Sequence, residues 1–159
     1  MSENKTGSIE EYEFMIAAFH NEMEQVPERF SGIRLSADKW SLKDIVGHLI
    51  DSACNNHQRF IRLQNEKVLE FPAYEQEKWI ATSKYHEFDW HNLLTLWYSY
   101  NELIIHLIRN VDTSCISNVW DYKGEMIELG SLIPDYFKHM EWHQNQFNER
   151  LKEVRDQNS

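Results

Sequence analysis

At 159 residues the chain is long enough for one domain with a full core and too short for two comfortable ones. Its 42% apolar content, with six Trp, seven Tyr and eight Phe against five Gly and three Pro, disfavours disorder and a turn-dense β fold. The formal charge of −10, from 26 acidic against 16 basic residues, repels phosphate backbones and anionic headgroups, which makes nucleic acid and membrane surfaces poor partners.

The expectation is therefore one domain over residues 1–159, soluble and all-α in the main. Met1 to Ser8 is polar and no run of about 18 apolar residues occurs, so neither export nor a membrane anchor is expected. Cys54 and Cys115 stand alone, outside any CxxC spacing, as expected of reduced thiols in a cytoplasmic protein.

Ser8-Ile9-Glu10-Glu11 reads as a capping box and starts a first helix. Ile9, Tyr12, Ile16, Phe19, Met23 and Val26 follow at spacings of three and four, an amphipathic stripe that ends around Pro27 to Phe30. His20, beside that stripe, reads as structural or surface.

A second helix is marked by Ser41 as N-cap, Asp44 three residues on, and Trp40 placed to staple onto Ile45. Its packing face, from Leu42 through Phe60 and Leu63, runs to about Asn65. Beside that face lies a polar row: His48, Ser52, Asn55 and Arg59, with Asp51 a turn from His48. Such a row is costly to bury without partners, so it should line a cavity holding water, metal or ligand.

Glu66 to Phe88 has no clean period and reads as a long crossover loop, with a short helix over Glu75 to Ala81. Ordered connections of that length usually act as lids or binding loops, and this one carries Tyr74 and Trp79. Its length also lets the third helix run in the same direction as the second. That third helix, capped by Asp89, presents Leu93, Leu94, Trp97, Tyr100, Leu103, Ile104, Leu107, Ile108 and Val111 as a wide apolar face. His91 and His106 fall near its edge and read as structural or exposed.

Val119 to Leu129 has strand formers on both sides of Lys123-Gly124, the pattern of a small β-hairpin. Ser131 then caps a fourth helix, with Pro134 and Asp135 in its first turn. Ile133, Tyr136, Met140, His143, Phe147, Leu151 and Val154 form its inward stripe, with His139 on the shoulder. His139 and His143 are four apart, so both rings can reach one metal ion. The pair alone is a weak signal; His48 on the second helix supplies a third neutral imidazole, and three protein ligands with open positions is how catalytic metal sites are built.

The segment Lys39 to Ser52, followed by Arg59-Phe60, Pro72-Ala73-Tyr74, Trp79 and His139-x-x-x-His143, resembles the DinB/YfiT-like superfamily of metalloenzymes, in particular its YfiT-like branch. The likeness covers nearly the whole chain. It implies a four-helix bundle with up-down-down-up connections, often a homodimer, and a divalent metal, nickel or zinc, held by His48, His139 and His143. The branch includes enzymes that transfer low-molecular-weight thiols such as bacillithiol to electrophiles, and more distant relatives use mycothiol. This chain departs from it at Ala53, Trp142 and Gln146, where relatives often carry histidine.

A divalent cation with open positions lowers the pKa of a bound thiol or water. Three readings follow: a thiol S-transferase acting on a small electrophile, a metal-dependent hydrolase on the same site, and a non-catalytic metal-binding helical dimer. Asp51 is the candidate base or orienting group, Arg59 the candidate for a substrate anion, and Asn55, Tyr74 and Trp79 the candidates for substrate binding.

Overall fold

In a computed structural model of the chain, which describes residues 7–159, six α-helices surround one apolar core and a three-stranded sheet closes one end. The helices are α1 (Ile9–Glu24), α2 (Glu28–Ser31), α3 (Leu42–Arg62), α4 (Gln76–Ser83), α5 (Trp90–Arg109) and α6 (Leu129–Gln157). The strands are β1 (Val68–Glu70), β2 (Val119–Tyr122) and β3 (Glu125–Glu128).

Three of the four caps read from the sequence, at Ser8, Ser41 and Asp89, form as expected. Glu11 N–H donates to Ser8 Oγ at 3.2 Å while Ser8 N–H donates to Glu11 Oε2 at 2.8 Å. At α3 the same reciprocal box joins Ser41 and Asp44, and Arg34 Nε adds a bond to Asp44 Oδ2 at 2.8 Å. Asp89 accepts from the Asn92 amide at 2.8 Å and starts α5.

Contacts between helix ends fix the connectivity. Lys43 at the start of α3 donates to the Phe88 carbonyl just before α5, so the two helices begin together. They also finish together, because Gln64 accepts from the Asp112 amide and Asn118 donates to the Leu63 carbonyl. The parallel pairing of β1 with β2 joins the two chain segments that leave those ends. Helix α1 runs the other way, with Glu13 on Arg109 near the end of α5. So does α6, since Arg150 near its C-terminus donates to the Trp40 carbonyl ahead of α3. The bundle of α1, α3, α5 and α6 is thus up-down-down-up, as the resemblance implies.

Its core interleaves aromatic side chains: Phe19 meets Trp97 and Phe147 edge-on, and Tyr12 stacks on Phe137. Among the described residues no helix is long and apolar enough to cross a membrane.

Three local features differ from the sequence reading. Strand β1 lies inside the predicted loop; its Leu69 is 2% exposed and it pairs with a segment some fifty residues away, a non-local contact that three residues of pattern do not announce. Helix α6 starts at Leu129, not after Ser131. There the Leu129 and Gly130 amides donate to the Asn118 and Ile116 carbonyls, so backbone replaces the side-chain cap and Pro134 falls in the second turn. Leu103, read as part of the inward face of α5, is 39% exposed, because the stripe that packs passes through Asn101, Ile104, Ile105 and Ile108.

Candidate metal centre

The N-terminal half of α3 and the middle of α6 run antiparallel, so His48 faces the ring pair on α6. His139 Nε2 lies 3.2 Å from His48 Nε2 and 3.0 Å from His143 Nε2. One ligand atom from each residue falls within 4.8 Å of the other two. Nitrogens bound to one ion at about 2.0–2.1 Å are themselves roughly 3.0–3.4 Å apart, so the cluster has the spacing of a shared cation's ligands. Its chemistry agrees: three imidazole nitrogens are a borderline donor set suited to zinc, nickel, copper or iron.

Gln146 settles the tautomer of one ring. His143 Nδ1–H donates to Gln146 Oε1 at 2.8 Å, which leaves the His143 Nε2 lone pair directed into the cluster. His48 Nδ1 is buried with no hydrogen-bond partner among the described residues.

Burial keeps the rings neutral. It pushes His48 down to about 3, with His143 and His139 adding to the effect. His139 falls to about 4, from burial and then from His143, and burial also lowers His143 against the opposing bond to Gln146. Neutral imidazole is the state that ligates metal.

Trp40 covers the cluster from the α3 N-terminus, its ring centroid 5.0 Å from His48 and 6.2 Å from His143. Its indole Nε1–H donates to Glu77 Oε2 at 3.1 Å, which ties the residue to α4 in the crossover. The other side of the crossover supplies Tyr74, whose ring lies 6.3 Å from that of His48. Trp79 packs on Tyr74 at 5.2 Å and is 37% exposed, outside the cavity.

The polar row of α3 is buried throughout: Asp51, Ser52, Asn55 and Arg59 are each at most 6% exposed. A cavity of about 200 Å³ opens between this row and α6, lined by Ser52, Asn56, Arg59, Tyr74, Leu132, Asp135, Tyr136 and His139. Asn55 is not in that lining; its amide donates to the Asp51 carbonyl on its own helix, and Asn56 faces the cavity in its place. A larger cleft, about 700 Å³, lies between residues 70–75 and the β2–β3 turn and shares only Tyr74 with it.

Asp51 Oδ1 accepts from Tyr85 Oη–H at 2.5 Å, and Oδ2 is buried without a partner. Burial raises this carboxyl to about 6, against the lowering by the Tyr85 bond. Tyr85 reaches Asp51 by crossing Gly47: a Cβ there would stand 2.1 Å from the Tyr85 ring. The Arg59 guanidinium stacks on Trp120 at 3.9 Å, and Nη1 meets Asn56 Oδ1 at 3.5 Å. No carboxylate pairs with it among the described residues.

The remaining histidines stay apart from the cluster. His20 leans on Tyr98, His57 bonds Tyr100 at 2.9 Å, and His86, His91 and His106 are exposed. Tyr85, Gln146, Asn56 and Trp120 were not singled out from sequence as binding groups. Only Asn56 carried a usable signal, as a polar residue placed on a packing face.

These elements define a class: an up-down-down-up four-helix bundle that turns three histidines of two helices toward one point. The solved structure of YfiT from Bacillus subtilis, described as "a probable metal-dependent hydrolase with an unusual four-helix bundle topology", has this fold, with a TM-score of 0.75 over 99% of this chain and 93% of that one. The two sequences are 16% identical, so the likeness is one of fold. No protein-family model matches the chain, and no curated protein sequence matches it.

Proposed function

We propose that this chain is a divalent-metal-dependent enzyme acting on a small molecule, and that its nucleophile is a low-molecular-weight thiol transferred to an electrophile. One observation carries the metal reading: three neutral imidazoles, two buried and one half-buried, turn Nε2 toward one point at the edge of a cavity. Nickel or zinc bound there would supply Lewis-acid activation, lowering the pKa of a nucleophile at neutral pH.

The chain's own groups do the rest. Trp40 and Tyr74 hold water away from the rings and narrow the approach. Gln146 orients His143. Asp51, whose Oδ2 is unpartnered and whose pKa sits near 6, can take and return a proton close to neutrality. The resemblance read from the sequence supports a thiol as the nucleophile, in a cytoplasmic homodimer. Hydrolysis by water on the same residues is the second reading, favoured by the description of the fold neighbour.

The test is elemental analysis of purified protein beside two assays: conjugation of cysteine or bacillithiol to 1-chloro-2,4-dinitrobenzene, and ester turnover without thiol. Metal-dependent conjugation is the expected result. Ester turnover alone selects the hydrolase, and silence in both with metal bound selects a non-catalytic metal-binding dimer, which sizing of the purified protein would then address.

A further inference from the structure

Arg59 is a full cation that is 6% exposed, with its Nε buried and unpartnered. Burying a charge without a counter-ion is costly. Its position is nevertheless well defined: Trp120 lies beneath the guanidinium at 3.9 Å, Phe71 stands at 5.8 Å, and Asn56 holds one Nη. Those contacts orient the fork without neutralising it. Burial accordingly lowers the Arg59 pKa, with Tyr74 and Tyr122 acting in the opposite sense.

Arg59 and His139 line the same cavity of about 200 Å³, room for roughly six waters or a small metabolite. Arg59 sits three turns beyond His48 on α3, about 16 Å along the axis, and helical side chains lean back toward the N-terminus, here toward the histidines. A ligand spanning the cavity would meet the histidine cluster at one end and the guanidinium at the other, several bonds apart.

We infer that this cavity takes a small substrate bearing a carboxylate, and that Arg59 is the residue that binds it. The inference rests on the reading of the histidine cluster as catalytic and names the substrate class for it. A planar guanidinium fork matches a carboxylate in two parallel hydrogen bonds. A single positive charge balances a single negative one, and Asp135 on the opposite wall works against a dianion such as phosphate. Asp135 does not neutralise Arg59 itself: its side chain is 62% exposed and its cation is Lys138 at 4.0 Å. Ser52 and Tyr74 bring hydroxyls to the same lining for a second carboxylate oxygen.

Titration of metal-free, full-length protein with butanoate, followed on the arginine Nε–H signals by ¹⁵N NMR, tests the assignment. Saturable movement of the Arg59 signal is expected, with affinity at least about tenfold weaker in Arg59→Gln. Arg59→Lys keeps the charge and loses the fork, so a loss intermediate between wild type and Arg59→Gln is expected, and it serves as the readout should Arg59→Gln fail to fold. Equal movement with 1-butanol would make the cavity a plain apolar site, and equal binding of inorganic phosphate would make it an unselective anion site; either overturns the inference. No saturable binding by a folded wild type also overturns it, leaving Arg59 as a clamp between α3 and β2. Zinc uptake measured on the same sample separates the two claims, because normal uptake without butanoate binding removes the carboxylate subsite and leaves the metal reading standing.

Discussion

Helices α3 and α5 are of nearly equal length, lie side by side, run in the same direction and both bury an apolar face, yet only α3 buries a row of polar side chains beside it. Helix α5 buries Trp90, Leu93, Leu94, Trp97, Ile104, Ile105 and Ile108, with Asn101 its one buried polar residue, bonded to Trp97 O and Tyr136 Oη, and with the Trp97 indole Nε1 its one buried polar atom without a partner. Helix α3 buries Asp51, Ser52, Asn55, Asn56 and Arg59 as well as His48, and three atoms of this set, His48 Nδ1, Asp51 Oδ2 and Arg59 Nε, find no partner. Apolar burial stabilises the fold, whereas unmatched polar burial costs free energy that folding alone gives no reason to spend. Both helices pack the core, and α3 in addition gives up stability along its polar row.

The sharpest way to break that contrast is to truncate one residue on each helix. Trp97 is fully buried and packs edge-on against Phe19, so Trp97→Ala should cost about 3–5 kcal/mol in urea unfolding. His48→Ala should leave the metal-free protein helical and lose about 1 kcal/mol or less, because it removes an orphaned polar atom together with its packing. Its metal content, read by elemental analysis, should fall to near zero. If His48→Ala destabilises as much as Trp97→Ala, α3 is a packing helix and its polar face is not a site.

Trp40→Ala should come next, because Trp40 belongs to both kinds of surface. It is 9% exposed and lies over His48 and His143, so its loss should cost on the order of 3 kcal/mol and also weaken metal retention. A stability loss below about 0.5 kcal/mol would separate the residue from the core and from the entry angle of α3.

Why α3 could be read from sequence, and parts of the site could not, follows from the range of the interactions. Ser41 and Asp44 cap within one turn, and His48, Ser52 and Arg59 repeat along one helix, so their signal is local. His139 and His143 are likewise a single-helix pattern, weak alone and strengthened by His48 in the polar row of α3. Tyr85 reaches Asp51 from 34 positions away, and Trp120 reaches Arg59 from the sheet; neither spacing has a period to detect. The start of α6 was misplaced for the same reason, because its first amides are satisfied by the carbonyls of Ile116 and Asn118. Gln146 stood out only as an absent histidine, although it is the group that orients His143.

Acid titration should sharpen the comparison with a smaller effect. His48 and His139 drop to about 3 and about 4 in the folded chain, against 6.5 when exposed, so between those limits the unfolded state binds more protons. Stability of the metal-free protein is then fully present above about 6.5 and is lost as pH falls toward 4. Asp51 works in the reverse sense: raised to about 6 from 3.8, its contribution is present below 3.8 and is lost as pH rises through 6. The histidines outnumber it, so the net slope should be positive, and Asp51→Asn should make the acid loss steeper. A flat profile between pH 4 and 6.5 would show that the rings are not buried as neutral groups. Metal should also be retained below the pH of about 6 at which exposed histidines release it, because these rings resist protonation.

The smallest change in structure is Tyr85→Phe, which removes a hydroxyl and little else. The ring would still lie on Gly47, so the segment between α4 and α5 keeps its apolar contact with α3. What disappears is the 2.5 Å bond to Asp51, leaving both carboxylate oxygens buried without a donor. At pH 8, where Asp51 is charged, the loss should be about 1.5–3 kcal/mol, the range for hydrogen bonds to charged groups. At pH 5 most of the folded population carries a neutral Asp51, which needs the donor less, and the loss should shrink. Urea unfolding of the metal-free protein at the two pH values measures that difference, and zinc uptake should match wild type because neither residue belongs to the histidine cluster. Loss of zinc binding in Tyr85→Phe would place the Asp51–Tyr85 pair inside the metal centre, and the polar burial of α3 would then be one site rather than a metal cluster with a separate buried carboxylate on the same helix.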